Sequence, residues 1–180
     1  MPWFRNSPPG DPLAVTMTGV KLGDRLLVIG CAEAKLVAQL ALKPGLTGRT
    51  CAVDENPAVS ARAADAALRE GALVESETAP HSMLPHNDGA FDLVVVNHAL
   101  SGVPPERRIL LLNDARRVLR EGGRCVSIEP AARGGLATLI GGARTSSAEI
   151  EQAFTSASFR AVRTLAERDG LSFVEGARRN

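Results

Sequence analysis

The sequence predicts an α/β fold built on a doubly wound, mostly parallel sheet of seven strands, with an antiparallel hairpin at its C-terminal end. Three observations support this prediction. The chain has 180 residues, of which 44% are hydrophobic, and this suits one globular core. Short apolar runs alternate with segments of helical spacing through five strands, as in parallel sheets with crossover helices. The tail then changes to two strand-like runs separated by Asp169-Gly170, a dipeptide typical of tight hairpin turns.

A short apolar run marks each of the five parallel strands. We place them at Arg25–Ile29, Thr50–Val53, Leu73–Glu75, Phe91–Val96 and Arg124–Ile128. Proline and glycine mark the helices between them. These helices are expected at Ala32–Leu42, Pro57–Leu68 and Pro105–Leu119, the last with Gly122-Gly123 as its C-terminal cap. A further helix, capped by Ser146 or Ser147, is expected to run to about Ala157.

The two ends of the chain complete the domain description. The runs 159–167 and 171–177 are expected to pair through the Asp-Gly turn and to add an antiparallel edge strand. Residues 21–180 then form one domain. Residues 1–20, rich in Pro, Gly and Ser, are expected to form an arm with a short helix near Pro12–Met17. For Trp3 and Phe4 on this arm, three alternatives are open: they fold over the open cleft as a lid, they contact a partner such as a second copy in a homodimer, or they are poorly ordered.

Composition excludes several classes of protein. Twenty-one Lys+Arg against twenty Asp+Glu give a net charge of +1, so the chain has no electrostatic footprint for nucleic acid or an anionic membrane. Its apolar runs are too short to span a bilayer, and its first residues lack a signal-peptide pattern, so we expect a cytoplasmic protein. The absence of tyrosine excludes the Tyr–Lys pair of short-chain reductases. Three cysteines without CxxC spacing predict free thiols.

In such a sheet, ligands bind outside the carboxyl ends of the strands, near the point where the strand order reverses. Four segments converge there: 30–35, 54–56, 79–83 and 97–101. Gly30 ends the first strand just before a helix and permits a tight turn close to a ligand. Asp54 ends the second strand, where a carboxylate accepts the hydroxyl groups of a ribose. The alternative is that Asp54 or Asn56 caps the helix that begins at Pro57.

Later motifs resemble the class I S-adenosylmethionine-dependent methyltransferases, in the small-molecule branch that includes the ubiquinone-biosynthesis type. The run from Leu84 to Val95, LPHNDGAFDLVV, is similar to the LPFxDxSFDLV signature of that family. The segments NHAL at 97–100, VP at 103–104 and RVLREGGR at 117–124 are similar to its HALxxVP and RVLRPGGR patterns. The resemblance covers roughly residues 21–178. It implies a Rossmann-like fold, S-adenosylmethionine as cofactor and methyl transfer to a small-molecule acceptor.

The resemblance also implies a set of cofactor-binding residues. The turn after the first strand would hold the methionine moiety, Asp54 with the adjacent Glu55 the ribose, Ala79-Pro80 the adenine edge, and Asn97 the methionyl end near the acceptor. The residues of that first turn are Gly30, Cys31, Ala32 and Glu33. The sequence departs from the GxGxG pattern of the family, because Ala32 and Ala34 replace two glycines and Val28 replaces an acid. The Gly-Asp that precedes the adenine contact is also absent.

His98 is the candidate catalytic residue, since its ordinary pKa near 6.5 suits a general base for a hydroxyl acceptor. The alternative is a histidine that bonds to a neighbouring loop. His81, His86 and His98 lack metal-ligand spacing, so no metal site is expected. Glu129 is expected to face the substrate or solvent. The alternative function is a catalytically inactive methyltransferase-like binding or assembly module; a nicotinamide-dependent reductase is disfavoured by the motifs and the missing tyrosine.

Overall fold

A computed structural model describes residues 11–132 and 145–179 of the chain. Within them, seven strands form one sheet in the order β3-β2-β1-β4-β5-β7-β6. The strands are β1 Arg25–Ile29, β2 Arg49–Asp54, β3 Glu75–Thr78, β4 Phe91–Asn97, β5 Leu119–Pro130, β6 Arg160–Arg168 and β7 Leu171–Ala177. The helices are α1 Leu13–Thr18, α2 Ala34–Ala41, α3 Pro57–Arg69, α4 Pro105–Val118 and α5 Ser147–Ser156. The predicted α/β fold with a C-terminal hairpin is confirmed.

The core lies on both faces of the sheet, because the central strands are buried on both sides. On one face, Val94 and Val96 of β4 pack in a cluster with residues of α4 and α5 such as Leu112 and Phe154. On the other face, Val95 packs in a cluster with residues of α1, α2 and α3. The alternation explains why β4 appears in the sequence as an unbroken apolar run. Because β1, β2, β4 and β5 pair in parallel, their carboxyl ends lie along one edge of the sheet.

The third strand begins two residues later than predicted. Leu73 is 80% exposed and lies before β3, which covers Glu75–Thr78. The amide of Ala72 donates to the Ala67 carbonyl, so the end of α3 still holds the chain there. Pairing with β2 then starts at Glu75 opposite Cys51. The prediction failed because this edge strand is polar and exposed and carries no apolar signal.

Gly122-Gly123 was predicted to cap α4. In the structure this glycine pair belongs to β5 instead. The chain is already extended at Leu119, which pairs with Phe91 of β4. Gly122 donates its amide to the carbonyl of Arg178, and Arg178 donates to Gly123. Gly123 is buried, and a Cβ there would lie 2.9 Å from the carbonyl oxygen of Arg120. Close backbone packing therefore requires this glycine.

The hairpin turn is confirmed, but the antiparallel strand is not at the edge of the sheet. Asp169 and Gly170 have φ of 56° and 78°, the left-handed pair expected for a type I′ turn. β7 pairs antiparallel with both β5 and β6, so β7 is an interior strand and β6 forms the edge. Ser146 caps α5 in a reciprocal capping box with Glu149, as predicted for one of the two serines.

The N-terminal arm is described only from residue 11 onward. Trp3 and Phe4, predicted as a lid or a dimer contact, lie outside the described residues. Helix α1, predicted near Pro12–Met17, covers Leu13–Thr18. None of the helices in the described ranges is long and apolar enough to cross a membrane.

Candidate functional site

The turn between β1 and α2 is built around Gly30. Its φ of +87° lies in the left-handed region, and a Cβ there would lie 2.2 Å from the backbone oxygen of Asn97. Gly30 also donates its amide to the Val53 carbonyl at 3.0 Å. The close approach that requires glycine at this position is therefore made by the backbone of β4. The turn lies between the ends of β2 and β4, where the sequence analysis expected a ligand.

The Asp54 carboxylate joins the β1–α2 turn to the β2–α3 turn. One oxygen accepts the amide of Cys31 at 2.8 Å and the other accepts the amide of Asn56 at 2.9 Å. Asn56 itself caps α3 by accepting the amide of Ala58. Of the two predicted alternatives for a cap, Asn56 is correct and Asp54 is not. A carboxylate has about four lone-pair positions, so Asp54 can still accept two more hydrogen bonds.

Asn97 at the end of β4 is buried and half satisfied. Its side-chain amide donates to the Gly30 carbonyl at 3.3 Å, which fixes the direction of the side chain. The Oδ1 atom is buried and has no hydrogen-bond partner among the described residues. Leaving a buried acceptor unpaired costs about 1–3 kcal/mol, so this atom marks a position where a donor of a ligand would be stabilising.

His98 and Glu33 meet across the opening between the β1–α2 and β4–α4 turns. The Nε2 atom of His98 lies 3.1 Å from Glu33 Oε1. His98 has a left-handed φ of 53°, and its backbone amide donates to the Ile128 carbonyl at 2.9 Å. A non-glycine residue in this region is strained, and such strain often occurs at functional sites. Glu33, predicted to contact the cofactor, lies beside the predicted base, although His98 Nε2 has no aligned hydrogen bond within the described residues.

Glu129 at the end of β5 faces neither substrate nor solvent, and this corrects the expectation. It is 1% exposed, and its two oxygens accept the amides of Leu100 and Ser101 at 2.9 Å each. Burial raises the pKa of Glu129, and these hydrogen bonds act in the opposite direction. The buried carboxylate thus fixes the loop that follows His98. A glutamate at the end of a fully buried strand is the sequence signal that could have indicated this role.

A cavity of about 830 Å³ extends from this loop towards β3. One wall is formed by Glu55 and the segment 78–82, which includes the predicted residues Ala79 and Pro80. The opposite wall is formed by His98, Ala99, Ser101 and Val103 of the loop after β4 and by Arg107, Leu110 and Leu111 of α4. The α4 residues were not predicted, although a helix that begins just after the β4 loop must begin at the same edge of the sheet. The volume is in the range of small-molecule sites.

His81 lines the same cavity beside Glu55, whose carboxylate accepts its backbone amide at 3.3 Å. Burial lowers the pKa of His81, while the charges of Glu55 and Asp54 act in the opposite direction. The net lowering of the pKa of His81 favours its neutral imidazole. This wall of the cavity can offer a hydrogen bond to a ligand without adding positive charge.

The two alanines of the first turn are not strained. Neither Ala32 nor Ala34 is among the residues with positive φ, and Ala34 begins α2. The turn has thus taken a conformation that alanine accepts. Cys31 is buried, and burial raises the pKa of its thiol to about 12, so it is not a nucleophile at neutral pH.

The strand order, the interior antiparallel β7 and the glycine turn facing an acid at the end of β2 define the class I S-adenosylmethionine-dependent methyltransferase fold. The chain belongs to the methyltransferase-domain family, whose model matches residues 27–127.

Relatives and solved structures are consistent with this assignment. The chain is 30% identical over 115 residues to the ubiquinone/menaquinone biosynthesis C-methyltransferase UbiE of Chromobacterium violaceum, covering 64% of this chain and 46% of the relative. A SAM-dependent methyltransferase from Aquifex aeolicus superposes with a TM-score of 0.74 at 18% identity, over 91% of this chain and 86% of that one. The [4+2]-cyclase SpnF superposes with a TM-score of 0.72 at 17% identity, over 93% and 78%. The chain spans less than half the length of the curated relatives it matches.

S-adenosylmethionine is the cofactor of this family, and the described residues fit it. The unpaired Oδ1 of Asn97 lies on the side chain that bonds to Gly30, so a buried acceptor is available for the methionyl ammonium group. Asp54 retains free lone pairs for ribose hydroxyls. The cavity beside Glu55 and Ala79 gives room for a flat heterocycle.

Proposed function

We propose that this chain binds S-adenosylmethionine and transfers its methyl group to a small-molecule acceptor. The observation that supports this most directly is the unpaired buried Oδ1 of Asn97. It belongs to the turn cluster of Gly30 and Asp54, which adjoins a cavity of about 830 Å³. The related C-methyltransferase acts in ubiquinone/menaquinone biosynthesis by its name, and this favours an acceptor of small-molecule size.

Each predicted site residue has a proposed task. Asp54 would accept the ribose hydroxyls, with Glu55 beside it, and Ala79 and Pro80 would lie along the adenine edge. Asn97 and the turn of Gly30, Cys31 and Ala32 would hold the methionine moiety. When bound, the cofactor supplies a sulfonium methyl group that is open to in-line displacement. The protein contributes mainly by aligning the acceptor with that methyl group and excluding water.

The acceptor would occupy the part of the cavity between His98 and α4. Val103, Leu110 and Leu111 give this part an apolar wall, and His98 lies at its border. For a hydroxyl acceptor, His98 would take the proton that is lost on methylation, and Glu33 would hold its imidazole. Glu129 supports this arrangement by fixing Leu100 and Ser101.

Titration calorimetry with S-adenosylmethionine and S-adenosylhomocysteine tests the proposal. We expect saturable binding by the wild type, and weaker binding by Asp54→Ala. Incubation with methyl-labelled S-adenosylmethionine and a panel of small hydroxyl, amine and activated-carbon compounds then tests for transfer. Absence of binding in the wild type would overturn the proposal.

A catalytically inactive binding or assembly module is the second candidate, and the alanines at 32 and 34 favour it. Binding of the cofactor without label transfer to any compound of the panel would support this candidate. The [4+2]-cyclase SpnF has the same fold, so the fold alone does not determine the reaction. A homodimer and a cytoplasmic location remain predictions, which light scattering and cell fractionation would check.

A further inference from the structure

An apolar groove lies at the amino ends of β2 and β3, at the opposite edge of the sheet from the candidate site. We call it the base groove and define it by Leu42, Leu46, Ala72 and Leu73, with a volume of about 360 Å³. Leu46 is fully exposed and Leu73 is 80% exposed. Leu22 extends this surface, because a Cβ on Gly45 would lie 2.7 Å from Leu22 Cδ1. Leucines grouped on an exposed surface usually mark a place where something binds.

The described chain begins next to this groove. Lys43, which lies between Leu42 and Gly45 of the groove wall, donates to both carboxylate oxygens of Asp11 at 2.5 and 2.6 Å. At the other end of α1, the guanidinium of Arg124 donates to the Gly19 carbonyl, and Arg124 pairs with Ala177 at the amino end of the core of β5. Both ends of α1 are therefore held at the base of the sheet, away from the cavity at its carboxyl edge.

The residues before Asp11 supply a suitable occupant. They include Trp3 and Phe4, whose side chains bury large apolar areas. Trp3 is eight residues from Asp11, and an extended chain of that length reaches about 28 Å. A tethered segment binds at a high effective concentration, which a separate molecule lacks.

We propose that the segment 1–10 packs on its own domain by placing Trp3 and Phe4 in the base groove. The segment then covers the exposed leucines. In this arrangement it does not act as a lid, because its attachment at Asp11 and its docking site both lie at the edge opposite the cavity.

Trp3 is the single tryptophan of the chain, so its fluorescence reports directly on its surroundings. The test compares the tryptophan emission and acrylamide quenching of the wild-type 180-residue chain with those of Leu46→Asp/Leu73→Asp. The control Leu110→Asp introduces one carboxylate, against two in the groove variant, at an exposed leucine of the candidate-site cavity. We expect shielded, blue-shifted emission in the wild type and in the control. In the groove variant, we expect a red shift and a quenching constant that rises towards that of free tryptophan.

Circular dichroism and thermal unfolding show whether each variant is folded, and Trp3→Phe should leave the fold intact because the described core does not need it. Quenching equal to that of free tryptophan in the wild type would overturn the proposal. The proposal would also be overturned if Trp3 is shielded but only Leu110→Asp or added S-adenosylhomocysteine reduces this shielding. That result would indicate a lid over the candidate site. Shielding that disappears on dilution would assign the groove to a second copy instead.

Discussion

At the carboxyl end of β2, the Asp54 carboxylate accepts the amides of Cys31 and Asn56, so its removal affects both binding and folding. In Asp54→Ala we expect the free energy of unfolding to fall by about 1–3 kcal/mol, since the Cys31 amide loses a partner. We expect affinity for S-adenosylhomocysteine to fall by about tenfold or more, equal to about 1.4 kcal/mol or more. Urea unfolding and calorimetry measure the two effects. Asp65→Ala, which removes an exposed carboxylate of α3, should change neither.

The strained backbone of His98 and its contact with Glu33 make it the residue to test for proton transfer. With a hydroxyl acceptor from the labelled-transfer screen, His98→Asn should lower kcat by about 10²–10⁴-fold, the usual contribution of a general base. Affinity for S-adenosylhomocysteine should change little. His81→Asn is the matched control, because it removes an imidazole from the other wall of the same cavity. An unchanged kcat in His98→Asn would mean that His98 does not act as a base and has only a structural role in the loop.

The relaxed turn at Ala32 and Ala34 predicts that restoring the family glycines brings no benefit. Because neither alanine has positive φ, there is no left-handed strain for glycine to relieve. The double variant should unfold more easily by about 0.4–1 kcal/mol per site, through the greater entropy of its unfolded chain. Its affinity for S-adenosylmethionine should equal that of the wild type. Tighter binding in calorimetry would show that the alanine methyl groups obstruct the cofactor.

At the level of elements, the β6–β7 hairpin depends on two consecutive left-handed residues. Gly170→Ala places a Cβ at a φ of 78° and should destabilise the domain by about 1–2 kcal/mol. Asp169→Asn should be neutral, because asparagine also tolerates this conformation. Thermal unfolding of both variants measures the difference. A stability loss in Asp169→Asn as large as in Gly170→Ala would mean that the aspartate charge, rather than the turn conformation, matters.

For the whole molecule, Asp92 links three strands at the base of the sheet. It accepts the backbone and side chain of Arg25 on β1 at 2.8 and 3.0 Å, and the guanidinium of Arg120 on β5. Burial alone would raise the pKa of Asp92, but these hydrogen bonds outweigh burial and hold the pKa well below its usual range.

Because the folded-state pKa of Asp92 is depressed, its contribution is present above the unfolded value near 3.9 and is lost as the pH falls below it. Asp92→Asn should lower the free energy of unfolding at pH 7 by about 1.5–3 kcal/mol, and the gap should narrow progressively as the pH falls below about 4. Urea unfolding across this range measures the gap. The control, Asp65→Asn, should follow the wild type at every pH. A gap between the wild type and Asp92→Asn that stays constant with pH would mean that the charge of Asp92 does not cause the loss of stability.

How far the sequence predicts the molecule depends on burial. β4 was predictable because both of its faces are buried and every residue from Leu93 to Val96 is apolar. β3 was not, because an exposed edge strand of sequence ESET has no hydrophobic pattern. The candidate site follows the same division: Gly30, Asp54 and Asn97 lie where strand ends place them. The contact of Glu33 with His98 depends on loop conformations that local sequence does not encode.

The position of β7 has a consequence for the order in which the protein is made. Translation produces β6 before β7, yet β6 pairs within the described chain with β7, which in turn pairs with β5. Until residues 171–177 have left the ribosome, β5 has an open side and β6 has no strand beside it. The nascent chain therefore carries an exposed strand edge throughout the synthesis of α5 and β6, and such edges are prone to intermolecular pairing. We expect the interval between the synthesis of β5 and that of β7 to be the period when this protein most needs protection by a chaperone.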